Sequence, residues 1–152
     1  MRKFSKKGKV YAAAATLALV AGSGGAAYAY WTTTGNGSGT EANSTGGGTV
    51  TLHANFAAGV APGGSVAVTY TADNASPTTD TKVGVLTVKS IVTSDPGCLS
   101  TWFSADATTI NATVLHNSTN TTVGTGTLTF ANDAANQDSC KSATVTINVG
   151  SN

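Results

Sequence analysis

The sequence predicts an all-β protein: an immunoglobulin-like antiparallel β-sandwich of about seven strands with one disulfide. Three observations carry that expectation. Short runs rich in Val and Thr alternate apolar and polar residues at period two, with turn residues between them. No segment after the first thirty residues shows helical periodicity. Two cysteines, Cys98 and Cys140, lie far apart in a part of the chain that the leader directs out of the cytoplasm.

The leader comes first. Arg2, Lys3, Lys6, Lys7 and Lys9 precede an apolar stretch, Val10 to Val20, then small residues and Ala27-Tyr28-Ala29. A basic start, an apolar middle and an A-x-A site make a secretory signal peptide over 1–29. Cleavage is expected after Ala29, with Ala27 and Ala29 at the site and Tyr30 as the new N-terminus. The competing reading is a retained anchor. A spanning helix needs about 20 predominantly apolar residues, and Gly22, Gly24 and Gly25 interrupt this one too early. After cleavage no membrane segment is expected.

Residues 30–48 read as a flexible Gly/Ser/Thr-rich segment, through Gly35-Asn36-Gly37-Ser38-Gly39 to Gly46-Gly47-Gly48. Tyr30 and Trp31 form an aromatic tip on it. They belong to the processing context or the domain edge, or they are assembly residues that insert into a neighbouring subunit as an added strand.

The domain is expected over 49–152. Val50, Leu52, Ala54 and Phe56 alternate with Thr49, Thr51, His53 and Asn55, a half-buried strand. Ala61-Pro62-Gly63-Gly64 is a turn. Val66, Val68, Tyr70 and Ala72 share the face of the next strand, which Asp73 to Pro77 should end. From Lys82 to Val92 apolar residues occupy both parities, which predicts a central strand. Asp95-Pro96-Gly97 turns into Cys98, and Leu99, Trp102 and Phe103 are expected in the core. Ile110, Ala112 and Val114 alternate, Asn117 to Asn120 is a loop, and Val123 to Phe130 is another strand. Asn132 to Ser139 is a polar loop before Cys140, and Val145, Ile147 and Val149 mark the last strand.

Composition excludes some functions. The chain beyond the leader is about 123 residues, one domain. It keeps Lys82, Lys89 and Lys141 against seven acids, a net charge of −4, and has no arginine. Nucleic-acid binding needs a basic face that neutralises phosphates, and three scattered lysines do not make one. Cys98 and Cys140 are expected to pair. A metal pair would want more ligands at closer spacing, and no C-x-x-C is present.

Residue patterns that carry chemistry are few. Neither G-x-S-x-G nor H-E-x-x-H occurs. A triad could still gather His53 or His116 with one of many serines. Asp133 and Asp138, with Asn132, Asn136 and Gln137, are the best oxygen cluster for a hard cation, against the plainer reading of a polar turn. Trp102 would serve a sugar-binding platform only if exposed, and a tryptophan beside a sandwich disulfide reads as core. Sequons at Asn36, Asn43, Asn74, Asn111, Asn117 and Asn120 follow from an Asn- and Thr-rich composition. No catalytic residue, metal site or cofactor is expected.

The stretch Ala26 to Gly35, Ala61-Pro62-Gly63-Gly64-Ser65-Val66, Gly97-Cys98 with Phe103-Ser104, and Asn136 to Lys141 together resemble small secreted proteins of actinobacteria, mostly uncharacterised. The signal region and general layout are also similar to the camelysin and TasA group. These are exported β-sandwich proteins that include biofilm-fibre subunits. The resemblance implies export and a sandwich. It carries over no peptidase activity, because this chain has no metal-binding motif for one. The functional expectation is a secreted, non-enzymatic structural or adhesive surface protein, with self-association or a cell-surface polymer as its partner. The alternative is an extracellular carbohydrate- or ligand-binding module.

Overall fold

In this computed structural model the described residues are 34–41, as backbone, and 49–152. The cleavage site at Ala27, Ala29 and Tyr30 and the Tyr30-Trp31 tip lie outside them. Among the described residues the chain is all-β, with two short 3-10 turns and no α-helix.

The described residues hold ten strands, against about seven expected: β1 (Thr34–Glu41), β2 (Val50–Phe56), β3 (Ser65–Asn74), β4 (Thr81–Lys82), β5 (Leu86–Thr93), β6 (Phe103–Ala105), β7 (Thr108–Thr109), β8 (Thr113–Val114), β9 (Ser118–Phe130) and β10 (Thr144–Ser151). Eight of them form one sheet in the order β5-β10-β1-β2-β3-β9-β6, with β7 also on β9. The pair β4-β8 stands apart. All pairings are antiparallel except the start of β1, which runs parallel to β10.

Alternation builds the core. Val50, Leu52 and Ala54 of β2, Val68 and Tyr70 of β3, Leu128 and Phe130 of β9, and Val145, Ile147 and Val149 of β10 are all buried. Phe103 and Phe130 are register partners whose rings stack 4.4 Å apart. The Tyr70 hydroxyl resolves its own burial by donating to the Asp106 carbonyl at 2.7 Å.

Three expectations are corrected. First, the sequence gives a flexible segment over 30–48, but its residues 34–41 form β1. Thr34 and Gly35 pair with Thr144 and Val145, and Asn36 to Glu41 pair with Asn55 to Val50. Backbone pairing on both sides orders a stretch whose composition alone reads as linker. Second, Lys82 to Val92 is not one central strand. It crosses from β4 into β5, and β5 is the edge of the sheet. The chain passes close to its own C-terminal strand at Gly84, where a Cβ would collide with the Asn152 carbonyl. The ladder then pairs Val88 with Val149 and Ser90 with Asn148, so Lys89 is a bulge residue. Each break resets the parity, so apolar residues on both parities do not mean two covered faces; Val85 and Val92 are at least half exposed. Third, Leu99 is exposed, although Trp102 and Phe103 beside it are buried as expected.

Candidate functional site

The cysteines pair. Cys98 follows a turn in which the Asp95 carboxylate accepts from the Gly97 amide at 2.7 Å and the Asp95 carbonyl accepts from the Cys98 amide. Cys140 sits in the 3-10 turn Asp138–Lys141. The bridge, with Cα atoms 4.8 Å apart, joins the segment after β5 to the segment before β10. It therefore closes one end of two strands that are already neighbours in the sheet.

Each histidine meets one carboxylate. His53 Nε2 lies 3.1 Å from Asp73 Oδ2, and the other Asp73 oxygen accepts from the Asn120 amide at 2.6 Å. This ties β2, β3 and the start of β9 at one end. Register sets Ser38 of β1 opposite His53, so the residue types of a triad come to neighbouring positions. They do so in mid-sheet, where ladder pairing occupies the backbone N–H groups that an oxyanion hole would need. His116 is exposed. Its amide, at 2.8 Å, and its Nδ1, at 2.7 Å, both meet Asp80 Oδ1. The backbone N–H of His116, more than its ring, holds the Asp80 carboxyl below the usual carboxylate range. The contact staples the loop after β3 to the loop before β9, where the Asn117 amide also donates to the Ser76 carbonyl.

The polar loop before Cys140 spends its side chains on itself. Asp133 accepts from the Ala135 amide and Asn136 from the Asp138 amide. Asp138 pairs with Lys141 at 2.7 Å. Buried Gln137 accepts from the Asp133 amide and donates to the Ala131 carbonyl. These are turn contacts, and no group of three metal-ligating side chains gathers among the described residues. Asn74 is closed to glycosylation in the folded state, since its buried amide donates to the Thr79 and Val114 carbonyls. Asn111, Asn117 and Asn120 are exposed and have φ near +50°, a backbone region that asparagine tolerates better than most residues.

The feature with the most capacity for a partner was not read from sequence. Among the described residues β5 and β6 are the two ends of the strand path, and each has one hydrogen-bonded neighbour. They approach each other across a groove of about 350 Å³. Val88, Ile91 and Phe103 supply its apolar part, Ser90, Ser100, Thr101 and Ser104 its hydroxyls, and Lys89 its one charge. Trp102 is 8% exposed and offers no platform for a sugar ring. No helix among the described residues is long and apolar enough to cross a membrane. No family model, curated protein or solved structure matches the chain.

Proposed function

We propose that this is an exported, non-enzymatic structural or adhesive protein of the cell surface, a fibre or matrix subunit that assembles by strand addition. The single observation behind it is the pair of unfinished sheet edges, β5 and β6, facing each other across the groove. Unpaired edges are templates for another chain. We read the strand path as two facing layers, β5-β10 and β2-β3-β9-β6, joined by β1 as an immunoglobulin-like sandwich. The disulfide suits an oxidising compartment and so supports export.

The test is light scattering after size exclusion, with electron microscopy, on purified residues 30–152. Oligomers or filaments at micromolar concentration are the expected result. A monomer that persists at the highest soluble concentration, with no filaments, overturns the reading. A second reading, an extracellular ligand-binding module, rests on the hydroxyl-rich rim of the same groove. It gains nothing from Trp102, which is buried.

A further inference from the structure

β1 differs from the other long strands in what it gives the core. Residues 34–41 read Thr-Gly-Asn-Gly-Ser-Gly-Thr-Glu. Register sets Gly35 opposite Val145, Gly37 opposite Ala54 and Gly39 opposite Leu52, and all three partners are fully buried. Residues directly opposite in a ladder share a face. The glycines therefore share the face of these buried partners, as does Glu41 at the strand's end opposite Val50, and Asn36, Ser38 and Thr40 hold the other face. β1 lies between β10 and β2 in the sheet, and its sequence brings no apolar residue to that face.

A Gly-rich strand has no apolar set to fix its register and is prone to alternate pairing and domain swapping. Its ladder is also divided, with two residues on β10 and six on β2. In sequence, Ala42-Asn43-Ser44-Thr45-Gly46-Gly47-Gly48 separates it from the residues before β2. The slot that β1 fills is a different matter. Without a strand there, β2 and β10 would each present an open edge beside Leu52, Ala54, Val145 and Ile147, all buried. The slot must be filled, while nothing in its filler requires that it come from the same copy.

We propose that β1 is exchanged between copies, so that residues 34–41 of one chain occupy the slot between β2 and β10 of a second. The occupant is the same eight residues making the same pairings, which is why exchange is a low-cost route to association. This rests on the reading of the protein as self-assembling. It adds which strand moves and where it lands.

The test places a cysteine pair at register partners Thr40 and Thr51, as the double variant Thr40→Cys/Thr51→Cys in residues 30–152. Circular dichroism compares its fold with that of the unsubstituted chain. Assembled protein is oxidised and run on a non-reducing gel beside the unsubstituted chain, which controls for the native bridge. Exchange predicts disulfide-linked dimers or a ladder that collapses to monomer on reduction. Oxidising the dilute monomer first should lock β1 in its own chain and abolish assembly on concentration. Oligomers by light scattering whose new bridge is entirely intramolecular overturn the exchange and leave self-assembly standing. A chain with no oligomers before or after concentration overturns both.

Discussion

Two residues make pH-dependent contributions of opposite direction. Tyr70 is buried, and burial first, then the Asp106 carboxylate, raise its phenol to about 12. A raised folded-state pKa means the contribution is complete below the unfolded value near 10 and is lost as pH rises toward 12. Tyr70→Phe should lose about 1 kcal/mol at neutral pH, the worth of one buried hydrogen bond. It should also lack the alkaline limb between those values, and denaturant midpoints across pH will show both. Asp80 behaves the other way. Its carboxyl is lowered, so its contribution is present above the usual carboxylate range and disappears as pH falls through the folded value. The His116 amide resonance should shift in that acid window and stay still in Asp80→Asn. Neither effect was legible in sequence: Tyr70 showed only its core parity, and His116 and Asp80 lie 36 residues apart.

At the scale of elements, alternation of apolar with polar residues located β2, β3 and β10, because each keeps one buried face without interruption. β1 keeps the same period, written in glycine and polar residues instead, so a search for apolar alternation passes over it. β9 begins at Ser118 inside an expected loop: Asn120, at positive φ, lies in the register shift between Thr121 and Ser118, where the Asp73 carboxylate rather than a ladder partner accepts from its amide. The lower half of β9 depends on small residues. A Cβ at Gly126 would run into the Asp106 carbonyl oxygen, and one at Gly124 into Leu86 and the Thr108 carbonyl. The Asp106 amide and carboxylate are both bonded to Thr127, so this crossing cannot shift freely. Gly126→Ala should cost about 2 kcal/mol or more, as backbone crowding does elsewhere, and thermal melts will read it. The groove between β5 and β6 was not legible, because its walls come from two strands that never pair.

Over the whole molecule, cross-linking matters more than charge. The bridge spans 42 residues, and the chain-entropy account gives about 4 kcal/mol for a loop of that size. Cys98→Ser with Cys140→Ser should lose much of that in denaturant titration. The pairing itself was legible from two cysteines in a chain whose start reads as an export signal. That the bridge lies at the end of two neighbouring strands was not, because sheet order is absent from local pattern. The ion pairs among the described residues are partly exposed, and exposed pairs contribute little. Raising salt should therefore move the melting temperature far less than reducing the bridge does.

The strand order also sets a clock. Thr34 pairs with Thr144 across 110 residues, and β3 finds β9, and β5 finds β10, only after long stretches of chain have been laid between them. Chains dominated by such distant pairings fold in milliseconds to seconds, because loop entropy is lost before contacts form. The β1–β10 junction closes the longest of these loops with the fewest paired residues. It should be the last to form on refolding and the first to exchange its amide hydrogens in the native state.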